Sequence, residues 1–309
     1  MLAYTIRRLL QFIPTIIAIT LLVFLLLNVL PGNAALMAGG KQRLSQEAQE
    51  RLIEKWGLDQ PLHVRYWNYV SGLVTGEMGK SYFTREDVGD MLAPRLWPTF
   101  KLALSALLIA CILGIPLGFY SAMHQGSWVD SLTMVGAVSG VSMPQFWLGL
   151  LLMYLFSVKL GVLPTFGYGD GKVINLILPA FTLGVGYMAL LARTTRAAVV
   201  EVLTQDYVRT ARAKGLRPLL VNRKHVFRNT LVLLLTSAGL QFGSLIGETV
   251  VVETLFSWPG IGSLLVNSIF YRDIPVTQGC IVVIISAFLL INLIVDLLYA
   301  VIDPRIKYS

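Results

Sequence analysis

Charge is what this sequence has least of. Asp, Glu, Lys and Arg make up only 14% of its 309 residues, against 55% hydrophobic residues. A soluble domain carries about 25% charged residues. So few charges cannot cover a water-soluble chain of this size. Cysteine is almost missing. Cys111 lies inside an apolar run and Cys280 at the edge of another, which points to small hydrophobes and excludes a disulfide framework or thiolate cluster. The three histidines, His63, His124 and His225, are far apart in sequence, and the topology derived below places them on different sides of a membrane, so they cannot share a metal. No H-E-x-x-H or G-x-S-x-G occurs, which argues against an intramembrane protease. A phosphate-binding loop is missing too. Gly79-Lys80-Ser81 comes nearest, but Val74 stands where its first glycine belongs, so ATP cannot be used through a P-loop of this chain.

What the sequence has instead is long uncharged runs. A bilayer core of about 30 Å needs roughly 20 apolar residues in helical form. Six runs qualify, near 9–30, 102–123, 132–158, 173–192, 230–252 and 279–302. The first three contain no charge, the fifth contains Glu248 and the sixth Asp296. The 22 uncharged residues from Leu9 to Leu30 exceed the roughly 7–15 of a signal-peptide core, so this run reads as an uncleaved span.

The net charge of +8 is concentrated in one place. Arg193, Arg196, Arg209, Arg212, Lys214, Arg217, Arg223, Lys224 and Arg228 stand between 193 and 230, with only Glu201 and Asp206 against them. That pattern is the positive-inside signature of a cytoplasmic loop, and it replaces nucleic acid as the explanation of the basic charge. Counting spans from it puts both termini in the cytoplasm, and Arg7, Arg8, Arg305 and Lys307 agree. The loop 124–131 then falls inside, and 159–172 and 253–278 fall outside. The segment 31–99, with eight basic and eight acidic residues, becomes a small folded outer cap. Within it Ser45 predicts the N-cap and Gly57 the stop of a helix over 46–56, with Ala48, Leu52, Ile53 and Trp56 on one side. A second helical pattern covers about 62–75.

Pro14, Pro116, Pro144 and Pro179 fall inside spans. A membrane proline frees carbonyls that need protein or water around them. Pro144 sits near the centre of the third span, in Ser142-Met143-Pro144-Gln145-Phe146-Trp147. A helix broken near the midplane points to a translocation path; a packing kink between helices is the other reading. The candidate path residues are Met143, Pro144, Gln145, Phe146 and Trp147, with the polar Gln241 and Glu248 of the fifth span. Glu248 is placed toward the outer end of its span. Asp296 is placed toward the inner end, one turn after Asn292. A proton-coupled carrier acting alone would want carboxylates at mid-membrane, and these positions argue against one. A receptor or scaffold with a ligand-binding cap is a third class.

The basic loop has internal order. Asp206 is a fitting N-cap for a helix over 207–214. Gly215 is a natural stop, and Pro218 fits the first position of a second helix running to about Asn229. Leu203, Tyr207 and Ala211 are expected on one side of the first helix, away from Arg209, Arg212 and Lys214. Isolated helices below about 12–15 residues are marginal in water, so this one needs a partner surface. A basic face on anionic lipid is the alternative.

At this loop the sequence resembles a known family. Tyr207-Val-Arg-Thr-Ala-Arg-Ala-Lys-Gly215-Leu and His225-Val-Phe-Arg-Asn229 resemble the EAA loop of ABC importer permeases, more narrowly the dipeptide/oligopeptide/nickel family of first-subunit type. Leu30-Pro31-Gly32, Gly57-Leu-Asp-Gln-Pro-Leu62, Val141-Ser-Met-Pro-Gln-Phe-Trp147, Phe256-Ser-Trp-Pro-Gly-Ile-Gly262, Arg272-Asp-Ile-Pro-Val276 and Asp296-Leu-Leu-Tyr-Ala…Asp303-Pro-Arg305 extend the likeness over essentially the whole chain. The resemblance implies an all-α polytopic protein of the type I ABC importer permease fold in the bacterial inner membrane. Residues 1–30 would be the N-terminal tip and first span, 31–99 the extracytoplasmic cap, and 100–305 a five-helix permease core with its coupling loop at 201–229. It implies a second homologous permease, two ATPase subunits or a homodimer of one, an extracytoplasmic binding protein and surrounding lipid, with no nucleic acid. ATP and Mg would be used by the ATPases, and no cofactor or metal by this chain, which is then no enzyme.

The ATPases would dock on Asp206, Tyr207, Arg209, Ala211, Arg212, Gly215, His225, Arg228 and Asn229. Gly215 takes the family's glycine and Ala211 its alanine. Arg209 stands where a glutamate is expected, and Val232 near the place of a proline. The family handles di- and oligopeptides, glutathione, opines, and nickel or its chelates. The short outer loop with Leu163-Pro-Thr-Phe-Gly-Tyr-Gly169 resembles the nickel and glutathione branches more than the dipeptide branch.

Overall fold

The structure is a computed structural model that describes residues 2–29 and 45–302, with side chains over 10–28 and 45–297. Leu30-Pro31-Gly32, the outer segment through residue 44, Asp303-Pro304-Arg305 and Lys307 lie outside the described residues. In chain order the helices are α1 (Leu2–Val29), α2 (Gln46–Lys55), α3 (Leu62–Thr75), α4 (Val88–Met123), α5 (Trp128–Ser142), α6 (Gln145–Lys159), α7 (Val173–Leu203), α8 (Asp206–Ala213), α9 (Pro218–Leu255), α10 (Ile261–Tyr271) and α11 (Ile274–Ile302).

Five of these, α1, α4, α7, α9 and α11, are long and apolar enough to cross a membrane singly. The sixth crossing is α5 and α6 together, bent by 107°. Contacts at its two ends show that the pair runs from one side to the other. Asp130, near the start of α5, bonds to Arg196 near the end of α7. Beyond α6, Gly167 donates to the Phe256 carbonyl and Tyr168 stacks edge-on against Trp258 just past the end of α9. The break is two residues of extended backbone, Met143 (φ −78°, ψ 128°) and Pro144 (φ −61°, ψ 130°). The residue before a proline is pushed out of the helical region, so the sequence dictates where this crossing breaks.

Several helices outrun their hydropathy. The second crossing begins at Val88 and not near 102. The fourth continues to Leu203, and the fifth starts at Pro218, so the predicted helix to Asn229 is the opening of α9. Hydropathy marks only the lipid-immersed part of a helix, and these extend beyond it. The loop 253–278, expected outside, also holds a helix of its own, α10.

Helix α7 is the axis of the bundle, packed against α4, α5, α6 and α9. Membrane helices approach closely where side chains are small. On α4 Ala106, Ala110, Gly114 and Gly118 recur every fourth residue. A Cβ on Gly114 would lie 2.5 Å from the Met188 carbonyl oxygen, and one on Gly118 only 2.2 Å from that of Ala192. From the other side Gly184 of α7 meets the Ala106 carbonyl, whose oxygen lies 2.8 Å from where its Cβ would be.

At the cap end a buried polar knot ties three elements together. The Glu253 carboxylate accepts from Thr99 Oγ1 (2.7 Å) and the Ser263 amide (3.0 Å). Thr99 Oγ1 in turn accepts from the Ile261 amide (2.9 Å), and Trp258 Nε1 donates to the Pro98 carbonyl (2.9 Å). The cap is latched through Asp273, which accepts from Ser81 Oγ (2.5 Å) and the Tyr82 amide (3.1 Å). Trp56 stacks on Tyr82 at 4.2 Å, and burial pushes the Tyr82 phenol up to about 12. Ser45 caps α2 by accepting from the Ala48 amide, and Gly57 at φ +62° follows its end.

Candidate translocation path and coupling surface

The basic loop lies at the opposite end of the bundle from the cap. Val208 and Ala211 of α8 pack into a cluster with Ala122, Val199, Val221 and Val226. Fully burying one valine contributes about 1.5–3 kcal/mol, enough to hold two helical turns against the bundle. The buried face keeps Ala211 of the expected one, with Leu203 packed beside it, but has Val208 in place of Tyr207. Tyr207 is 43% exposed, and Leu203 belongs to α7, whose end at Thr204 and Gln205 interrupts the phase. A period counted across that break cannot predict a face. Asp206 also differs from expectation. It is the first helical residue, Gln205 holds the N-cap position without a side-chain bond, and the Asp206 carboxylate is 3.9 Å from Arg209 in full solvent.

Gly215 ends α8 as expected, at φ +72°. Its amide donates to Arg212 O and that of Leu216 to Ala211 O, the paired bonds of a Schellman turn. Beyond it the chain enters α9 through a π-helical stretch, Val221–Phe227, of a kind often found at functional sites. His225 is half-buried there, Arg228 and Asn229 are exposed, and Asn229 Nδ2 donates back to the His225 carbonyl. The outward surface thus carries Tyr207, Arg209, Arg212 and Lys214. To these the fold adds Leu219, 80% exposed, and Leu220. Sequence reasoning missed these two leucines, because they look like the start of a buried helix. A sharp turn with Pro218 at its first position was the available signal.

Next to this surface Asp130 is fixed by four bonds. Arg196 Nε and Nη2 donate at 2.5 and 2.7 Å, Ser121 Oγ at 2.5 Å and the Gly126 amide at 3.0 Å. The clamp joins the ends of α4, α5 and α7.

Mid-bundle, the helix break opens onto a cavity of about 560 Å³. Met143, Gln145, Gln241 and Glu248 line it, with Tyr187, Ser237 and Ser244. Gln145 Nε2 donates to Glu248 at 2.6 Å, and the Tyr187 hydroxyl lies against the same carboxylate. Pro144 forms the bend itself. Phe146 and Trp147 are half-exposed on the outside of α6 and do not line the cavity. Tyr187 was not singled out from the sequence, where it is one aromatic in an apolar span. Among the described residues no group of three His, Cys, Asp or Glu side chains is placed to hold a metal.

Comparison with known proteins places this architecture. Residues 114–308 match the family described as binding-protein-dependent transport system inner membrane component. Residues 1–103 match its N-terminal component. The glutathione transport system permease protein GsiC of Escherichia coli K12 is 46% identical over 309 residues, covering all of both chains. The same-named protein of Shigella flexneri serotype 5b is 45% identical over the same length. Among solved structures, the inward-facing MetNI methionine ABC transporter aligns with a TM-score of 0.56 at 19% identity, over 69% of this chain and 96% of that one. An amino acid ABC transporter with histidines aligns at 0.53 and 16% identity, over 70% and 94%. Those two likenesses speak to the fold alone.

Proposed function

The chain belongs to the family of binding-protein-dependent transport system inner membrane components, and from that premise we propose that it carries a small peptide of the glutathione class into the cell. It is the pore-forming permease subunit of a binding-protein-dependent importer, a multi-pass protein of the inner membrane. Permeases of this family work with a second permease, ATPases and a substrate-binding protein. The observation that carries the substrate is the 46% identity to a glutathione permease along the entire chain.

Within that reading the basic loop faces the cytoplasm, and both termini lie there. A second homologous permease closes the open side of the mid-bundle cavity. Two ATPase subunits, which bind ATP and Mg, dock on the α8 surface. Tyr207, Leu219 and Leu220 supply its apolar contact, and Arg209, Arg212 and Lys214 its charge. The side chains of Val208 and Ala211 transmit motion inward, because they are packed against the ends of α4, α7 and α9. The binding protein docks on the cap, which exposes Arg51, Lys55, Lys80 and Arg85 around a hollow of about 1010 Å³.

The test is uptake by the complex reconstituted in liposomes with its binding protein. ATP-dependent accumulation of labelled glutathione, competed by short peptides, supports the reading. Accumulation of nickel or a nickel chelate with no glutathione uptake overturns it.

A further inference from the structure

We propose that the cavity at the helix break is a binding site for a primary ammonium group, with the Glu248 carboxylate as its counter-ion. The inference rests on the importer reading above, and it names the part of the solute that this half of the path recognises. Glu248 is the one charged side chain lining the cavity; none of the lining residues is Lys, Arg or His. Glu248 is exposed in this chain, and an ionisable side chain open to a cavity among membrane helices marks a solute path. Its protein partners here are neutral. Gln145 Nε2 donates at 2.6 Å, and Tyr187 presents a hydroxyl. These two aim the carboxylate without neutralising it. An ionised carboxylate has about four acceptor sites, so acceptor capacity remains for a cation.

A second, independent feature points to the same ligand chemistry. Gln241 lies seven residues before Glu248 on α9, which puts both on one helix face about 10 Å apart. It is only 6% exposed. Its Nε2 donates to Ser237 Oγ at 3.1 Å, and its Oε1 is buried with no hydrogen-bond partner. An orphaned buried acceptor is unfavourable, a deficit that a donor in the cavity Gln241 lines would relieve. Ser244 adds a hydroxyl between the two. A primary ammonium carries three donors and no acceptor, which suits the carboxylate, while the hydroxyl and the amide oxygen farther along the same face offer acceptors to the next N–H of the solute. Gly140 and Gly186 in the same wall leave room for the carbon that bears it. A carboxylate of the solute meets no cation on this wall, so the amine end is the end held here.

The same contacts admit a plainer role, in which Glu248 only buttresses the bent crossing through Gln145. Glutamine in its place keeps the size and an acceptor for that bond but removes the charge, so the two roles separate. The experiment is equilibrium binding of glutathione and of N-acetylglutathione to the assembled complex in nanodiscs, without binding protein. Wild type is expected to bind glutathione at least tenfold more tightly than the N-acetyl form, and Glu248→Gln to lose that difference. Gln241→Leu removes the unpartnered acceptor together with one neutral bond to Ser237; it is expected to fold, to weaken glutathione binding several-fold, and to serve if Glu248→Gln does not assemble. Equal affinity of wild type and variants, equal affinity of the two ligands for wild type, or no glutathione binding by wild type at millimolar concentration overturns the site. Failure of the importer reading shows separately, as absent ATP-dependent uptake by the wild-type complex with its binding protein.

Discussion

The smallest features that decide this molecule are single residues at helix ends. Gly215 is required because the Schellman turn after α8 places it at φ +72°, a conformation that costs a residue with a Cβ about 1 kcal/mol or more. Gly215→Val is expected to loosen α8 and reduce binding-protein-stimulated ATP hydrolysis by the complex, read as phosphate release, with its melting temperature nearly unchanged. Asp130 and Arg196 make a different kind of pair. Asp130 is 5% exposed and held by the guanidinium on two bonds. A quarter of the Arg196 side chain is exposed, so removing it costs less than the about 3–5 kcal/mol of a fully buried pair, but it still leaves the Asp130 charge alone. Arg196→Ala is therefore expected to lower the melting temperature of the purified chain markedly, and Asp130→Ala with Arg196→Ala to recover much of the loss. A double variant as unstable as the single one would contradict this account. Arg196 was legible in the sequence only as one of nine loop cations. Asp130 stood in a loop without Lys or Arg and gave no signal at all, since its partner is 66 residues away.

At the scale of elements, packing is set by where the backbone is bare. The Ala106-Ala110-Gly114-Gly118 stripe lets α4 lie against α7 with carbonyls almost touching glycine Cα atoms. Gly118→Leu has no room, because a Cβ already meets Ala192 O at 2.2 Å and Thr195 Cβ at 2.7 Å. It is expected to force the two helices apart and to abolish recovery of folded protein on size-exclusion chromatography. At Gly136, where a Cβ meets nothing within 4 Å, alanine is expected to be silent. Nothing in the four-residue spacing of the stripe says which helix faces it. The broken third crossing was more legible. Pro144 fixes its position, since the helix must fail just before a proline. The size of the bend, 107°, is a matter of how α5 and α6 settle against α7 and α9. For α8 the sequence was right about length, stop and the inward place of Ala211 and wrong about Tyr207, because helical phase does not survive the turn at Thr204–Gln205.

For the whole molecule the question is which side is which. The Asp130 clamp and the α8 cluster define one end, and the Glu253 knot and the Ser81–Asp273 latch the other. On the proposed reading the surplus of basic residues in 193–230 puts the first end in the cytoplasm. A cysteine introduced at Thr204 is expected to react with a membrane-impermeant maleimide only in inverted vesicles, and one at Lys172 only in intact cells with permeable outer membranes. The reverse pattern would invert the topology and remove the α8 surface from reach of any ATPase.

By itself the sequence determined that the chain crosses a membrane six times, where the third crossing breaks, that the basic loop holds a short helix stopped by a glycine, and which family it resembles. Each of these is written locally, in runs of hydropathy, in one proline or glycine, or in a contiguous motif. The tertiary structure decided which distant residues meet. It put Gln145 on Glu248, 103 positions later, Arg196 on Asp130, and Val208 rather than Tyr207 against the bundle. Side-chain partnership between helices depends on their rotation and crossing, which are set by the packing of all of them together and not by the order of residues in any one.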